Sequence, residues 1–204
     1  MSVNTVRQRL QDCYSNIMLE AELTRGAKKD IVGKHYELFR ETMICSHSHL
    51  DVATKLEKEK FNKMFGNNYK ADQYIVDRRS RSLLALEEDK GHYVDKCFAK
   101  RALWNAMETI AHCLKNNIDV PYFILSCPTN YNIEPLLSNM ELVFKKELLE
   151  ELRTKFRFFP LCDHGRTSRN KYLVEKQMPF ELKEDLVIKE IEFMNSLAPH
   201  KKEN

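Results

Sequence analysis

Residues 71–90 read ADQYIVDRRSRSLLALEEDK, and the way this stretch is taken decides the fold. No proline or glycine interrupts it, and proline is the residue that most directly breaks a helix, by removing a backbone donor and clashing with the preceding turn. Tyr74, Ile75, Leu83, Leu84 and Leu86 supply apolar positions beside the basic run Arg78-Arg79-Ser80-Arg81. The stretch therefore reads as a helix from about Ala71 to Glu88, with a solvated basic face.

The same argument extends upstream. All six prolines (Pro121, Pro128, Pro135, Pro160, Pro179, Pro199) follow residue 120. Val3, Val6, Leu10, Cys13, Ile17 and Ala21 recur at spacings of three or four, the period of one helix face, and Gly26 is placed to end that helix. Ile31, His35, Leu38, Phe39 and Met43 mark a second helix, with Asp30 as its expected cap. Val52, Leu56, Phe61 and Met64 mark a third, behind Asp51 and ending at Gly66-Asn67-Asn68. A fifth, about His92 to Lys115, carries two apolar lines. One is Cys97, Trp104 and Ala111; the other is Leu103, Met107, Ile110 and Leu114. That wide apolar face predicts a central position.

Downstream, Tyr122-Phe123-Ile124-Leu125-Ser126-Cys127 is short, apolar and bracketed by prolines, which predicts a buried strand. A strand needs a partner for its backbone groups, and Arg157–Leu161 or Lys171–Lys176 could provide one. Ser138-x-x-Glu141 matches a capping box, so a helix is expected from there to about residue 156. A last helix runs from about Glu181 to Leu197, with Val187, Ile191 and Met194 facing inward. These expectations sum to a mainly α fold. It is a bundle of about seven helices, with at most a small two-stranded β element in the C-terminal part. Residues 1–120 form the helical scaffold, and residues 121–204 form a mixed part packed on it as one structural domain.

Composition narrows the function classes. A chain of 204 residues with 43% apolar residues can bury a core without disulfides or metals. The net charge of +3 is too small to imply general affinity for nucleic acid or anionic membrane. Six cysteines without CxxC spacing predict reduced thiols and a cytoplasmic or nuclear location. No apolar run is long enough to span a membrane. Phosphate-binding glycine loops and the Gly-x-Ser-x-Gly elbow are absent, and no cofactor is expected.

Three constellations could carry chemistry. Cys45, His47 and His49, with Cys162 and His164 downstream, are zinc-ligand types, although their spacing matches no usual paired motif. Glu87-Glu88-Asp89-Lys90 sets carboxylates beside a lysine, the residue types of a metal-dependent nuclease; placed at a helix end, it reads as a solvated acidic terminus. Residues 153–176 hold seven basic groups against Asp163 and Glu175. There Arg153, Lys155, Arg157, His164, Arg166, Arg169 and Lys171 are interleaved with Phe156, Phe158, Phe159 and Tyr172, a pattern suited to phosphates and unpaired bases or to an acidic partner.

The reading that follows is a non-catalytic helical module for protein–protein interaction, with a protein partner and no catalytic residue assigned. Its alternative is a nucleic-acid-binding module using residues 153–171. A metal-dependent nuclease or a zinc-binding protein ranks after both. The oligomeric state is left open.

Overall fold

The computed structural model of the chain describes residues 1–24, 29–66, 70–91, 96–128, 131–141, 143–161 and 182–198. In chain order the elements are α1 (Val3–Leu23), α2 (Lys29–Cys45), β1 (Leu50–Val52), α3 (Lys55–Met64), β2 (Gln73–Asp77) and β3 (Leu83–Asp89). Then follow α4 (Lys96–Lys115), β4 (Tyr122–Cys127), α5 (Glu134–Met140), α6 (Lys146–Lys155), β5 (Phe156–Pro160) and α7 (Glu184–Ser196). The five strands make one mixed sheet in the order β1-β2-β3-β4-β5. The expected helical bundle with a minor β element is therefore wrong: the protein is α/β, and three of its five strands lie before residue 120.

The error sits in residues 71–90, which form a hairpin. Tyr74-Ile75-Val76 is aromatic and β-branched, the side-chain type that packs well on a pleated surface. Asp77 closes the turn: its Oδ1 accepts the backbone N–H of Arg79 at 3.1 Å and of Ser80 at 2.6 Å, an Asx turn. Arg81 then takes a left-handed φ of 58°, and Asp77 N–H donates back to the Ser82 carbonyl at 2.9 Å. Both faces of the hairpin are covered. Tyr74, Val76 and Leu86 enter one core, while Ile75, Leu84 and Ala85 enter another. A strand buried on both sides loses the polar–apolar alternation that would have identified it.

The sheet changes character at β3. The β1–β2 and β2–β3 pairs are antiparallel, whereas β3–β4 and β4–β5 are parallel. Parallel neighbours need crossovers, and right-handed crossovers stepping one way along a sheet put their helices on one face. Helices α4, α5 and α6 accordingly share a core with Phe123 and Leu125. The opposite face is covered by α1, α2 and α7, through Leu10, Ile17, Tyr36, Phe39 and Val187 and through Ile44 and Met194 against Ile124 and Phe159.

Smaller departures follow. Asp51 lies in β1, and α3 is capped by Thr54, whose side chain accepts from Glu57 N–H while Glu57 reaches back, a complete capping box. Helix α2 begins at Lys29, ahead of the expected cap Asp30. Ser138 falls inside α5, a helix that starts with Pro135 in its first turn, so the expected single helix from Ser138 to residue 156 is two. In α4 the buried side is Ala99, Ala102, Leu103, Ala106, Met107, Ile110 and Cys113, while Cys97 and Trp104 face outward. Strand β5 does supply the partner expected for β4, in parallel register. Among the described residues no helix is long and apolar enough to cross a membrane, and Cys13, Cys45, Cys97, Cys113 and Cys127 are free thiols.

Candidate active site

Successive side chains on a strand point to opposite faces, so the tetrapeptide Glu87-Glu88-Asp89-Lys90 is divided by the sheet. Glu87 and Asp89 turn toward α2. Glu88 follows Leu86 on the α4 side, with Lys90 two residues further on.

Toward α2 the strand carries a buried charged cluster. Arg40, fully buried, donates from Nε to Glu87 Oε1 at 2.6 Å and stands 3.9 Å from Asp89 Oδ1. Its other end pairs with Glu190 of α7. One guanidinium thus faces three buried carboxyl groups. Burial pushes Asp89 well above the usual carboxylate range, and the charge of Glu87 adds to the effect. Burial also raises Glu190, against the pull of Arg40. The run expected to be a solvated helix end is therefore largely interior, with Glu87 inaccessible to solvent. This cluster ties α2, β3 and α7 together. Gly91 tightens the same joint: a Cβ there would meet Val32 Cγ1 at 2.9 Å and the Val32 carbonyl at 3.0 Å. The Gly91 carbonyl accepts from Tyr14 Oη at 2.5 Å.

The C-terminal end of β3 opens into a cleft of about 390 Å³, where the antiparallel and parallel halves of the sheet meet, with Lys34 and Glu37 of α2 on one side and Arg101 of α4 on the other. The hairpin register pairs Gln73 with Glu87. Asp72, one residue earlier, therefore falls opposite Glu88, and its Oδ2 accepts the Asp89 N–H at 2.8 Å. Glu37 enters the cleft from α2, a helix held to the strand where Gln73 Nε2 donates to the Glu37 carbonyl at 3.3 Å. Burial raises the Asp72 carboxyl, partly offset by the Asp89 N–H and by Lys58 and Lys90. Burial and then the charge of Asp72 raise Glu37. Glu37 thus senses the charge of Asp72, while Lys58 pulls both carboxyls back down.

Cations line the opposite wall. Lys90 Nζ lies 4.3 Å from the centroid of the Phe98 ring, and the Arg101 guanidinium lies 4.9 Å from the same ring. The aromatic face of Phe98 thus packs against both cations. Lys90 N–H donates to the Ser126 carbonyl at 2.9 Å, which fixes the chain just beyond β3. Among the described residues no three His, Cys, Asp or Glu side chains stand as a ready-made metal cage.

The other candidates are placed differently. His47 Nδ1 lies 2.9 Å from Asn195 Oδ1, and His49 Nε2 lies 3.1 Å from the Met194 carbonyl, so both imidazoles fasten the end of α7. Cys45 approaches Asp51 at 3.5 Å. Cys162 and His164 lie outside the described residues. So do Arg166, Arg169 and Lys171, which leaves Arg153, Lys155 and Arg157 of the basic segment to be placed. Arg153 pairs with Glu141 at 2.6 Å and Glu134 at 3.4 Å. Lys155 is buried against the Tyr122 ring, and Arg157 packs on Tyr122 and Phe193. Phe156 and Phe159 are core. In the turn of the hairpin, Arg81 is held by Asp51 at 2.6 Å and Glu57 at 2.7 Å.

Asp72, Glu37, Phe98 and Arg101 were not singled out by the sequence. Reading 71–90 as a hairpin would have set Asp72 against Glu88; no comparable signal points to Glu37. No family model matches the chain, and no curated protein or solved structure matches it.

Proposed function

We propose that this protein is a metal-dependent phosphodiesterase acting on nucleic acid. The observation that carries the reading is the convergence of Asp72, Glu88 and Glu37 on one cleft with Lys90 and Arg101. Carboxylates gathered beside cations suit a reaction in which a divalent ion and a phosphate must share a site. Mg²⁺ is commonly bound by one or two carboxylates, several waters and the substrate's own phosphate oxygens, not by an all-protein cage. An incomplete protein ligand set is what such an ion uses. When bound, the ion would supply Lewis-acid stabilisation of the phosphoryl oxygens and a more acidic water.

The chain's own residues divide the remaining work. Asp72 and Glu88 would hold the cation, and the Asp89 N–H fixes the Asp72 carboxylate. Glu37 is placed to accept a proton from an attacking water or to bind a water of the ion. Lys90, held over Phe98, offers its ammonium to a non-bridging oxygen as negative charge gathers in the transition state. Arg101 anchors the phosphate from the exposed side. A docking reading would have to use the groove beside Trp104, considered below.

The test is cleavage of end-labelled single- and double-stranded DNA and RNA in Mg²⁺ or Mn²⁺. Cleavage that stops with chelator and falls at least about a hundredfold in Asp72→Asn and Lys90→Ala is expected. Absence of metal-dependent cleavage of all four substrates, or full activity in Asp72→Asn, would overturn the proposal.

A further inference from the structure

A second groove, of about 620 Å³, lies between α4 and the segment joining α5 to α6. Its floor and walls are apolar: Trp104, Leu136, Met140, Val143 and Phe144. Trp104 is 48% exposed and Val143 75% exposed, large values for side chains of this kind. The Trp104 and Phe144 rings meet edge to face, 5.2 Å between centroids at 67°. The indole N–H is already engaged, donating to Glu108 at 2.8 Å, so the ring is held by its polar edge while nearly half of its surface stays open.

The rim is basic. Lys96, Lys100 and Arg101 border the groove, and among the described residues that line it none is acidic. Helix periodicity explains the alignment: Lys96 to Lys100, Lys100 to Trp104 and Arg101 to Trp104 are steps of three or four along α4. Arg101 lines both this groove and the carboxylate cleft. The two depressions therefore share a wall, and a ligand whose phosphate reaches Arg101 from the cleft continues toward Trp104.

We infer that this groove receives an unpaired nucleic-acid strand flanking the phosphate to be cleaved, with bases packed on Trp104 and Phe144 and phosphates on Lys96, Lys100 and Arg101. The inference rests on the phosphodiesterase reading. An apolar aromatic floor with a basic rim is the combination that single strands use, because every base has a stacking face and every linkage a charge. A duplex keeps its bases stacked on each other and has none to offer Trp104.

Trp104 is the only tryptophan of the chain, so intrinsic fluorescence reports on this groove alone. The experiment titrates the full-length protein, in EDTA to prevent cleavage, with oligodeoxythymidylate, with oligouridylate and with a duplex of equal length. Saturable quenching by at least one single strand, weakened by salt, is expected, with little change for the duplex. Fluorescein-labelled strand should bind about tenfold more weakly to Trp104→Ala, with most of the loss recovered in Trp104→Phe. Lys96→Glu combined with Lys100→Glu should lower the salt slope by a little more than one. The deoxy and ribo arms decide which sugar is preferred.

Quenching without cleavage in any metal would remove the phosphodiesterase reading and leave strand binding standing. Asp72-dependent cleavage with no fluorescence response to either single strand would overturn the groove assignment and leave the cleft reading intact. Binding unchanged in both Trp104→Ala and Lys96→Glu/Lys100→Glu would also overturn it. So would a response to duplex equal to that of single strand, which would leave the apolar floor to a protein partner.

Discussion

Glu87 and Asp89 on one side of β3, and Glu88 and Lys90 on the other, belong to four consecutive residues and have opposite fates. The carboxyl groups of the first pair are buried against Arg40 and Glu190, although Asp89 also borders the cleft. The second pair lines an open cleft with Asp72 and Glu37. Composition does not distinguish them, since both sides offer carboxylates beside a cation. What differs is water. A buried cluster must satisfy its charges internally and so becomes structural, while a cleft cluster stays within reach of water and of a ligand.

The comparison can be broken or sharpened by substitution. The largest effect expected is catalytic. Lys90→Ala should lower cleavage by two to four orders of magnitude, since it removes a group aimed at developing charge. Its unfolding free energy in urea should stay within about 1 kcal/mol of wild type. A lost activity that tracks lost stability would erase the distinction between the two sides.

Next in size is a stability effect without direct loss of a cleft group. Arg40→Ala strands three carboxyl groups in the interior and should cost about 3–5 kcal/mol, read as a fall in unfolding free energy by denaturant titration. A cost below about 1 kcal/mol would show that water reaches the cluster. Gly91→Ala should be milder. The new methyl meets α2 backbone at 3.0 Å, and an overpacked contact of this kind costs about 1–3 kcal/mol. Because it displaces α2 from β3, cleavage should fall by more than the stability change alone accounts for.

How much of this was legible in the sequence depends on where each signal lay. Helices α1, α2, α4 and α7 announce themselves by apolar period, and β4 by its bracketing prolines. Even the pairing of β4 with the segment around Arg157 follows from the need to satisfy a strand's backbone. The hairpin was not read, because burial on both faces replaced alternation with a continuous apolar run and because Arg78 to Arg81 resembled a helix face. Its signal was Asp77-x-x-Ser80, a turn closed by an aspartate side chain. The site was half legible. Glu88 and Lys90 stand next to one another, but their meaning needs Asp72, which only strand register supplies, and Glu37, which only the packing of α2 supplies. The Arg153–Lys171 segment illustrates the reverse. Its charge excess is visible in sequence, yet Arg153, Lys155 and Arg157 are occupied by acids and aromatic rings.

A smaller effect concerns acid. Hydrogen bonds from Arg81 and Thr54 hold Glu57 down to about 2, against an ordinary 4.5. A depressed carboxylate contributes stability that is complete above the unfolded value and is lost as pH falls toward the folded one. Glu190, raised by burial, acts oppositely: the folded state keeps a proton that the unfolded chain has released, so its contribution fades as pH rises. Arg81→Ala should therefore flatten the fall in melting temperature between about pH 5 and pH 3. An acid limb as steep as that of wild type would dismiss the Arg81–Glu57 contribution. The smallest effect is on thiol reactivity. Cys97, exposed, should be alkylated first in the native state. Cys13 and Cys113, which burial pushes up to about 12 and about 11, should react only on unfolding.

The most direct test sets two neighbours side by side. Glu87→Gln and Glu88→Gln make the same chemical change one residue apart, and each variant is measured for metal-dependent cleavage and for unfolding free energy. Glu88→Gln is expected to lose cleavage at least about a hundredfold with stability within about 1 kcal/mol of wild type, while Glu87→Gln is expected to lose about 1.5–3 kcal/mol of stability through its bond to Arg40. Equal behaviour of the two variants, or wild-type cleavage in Glu88→Gln, would contradict that expectation.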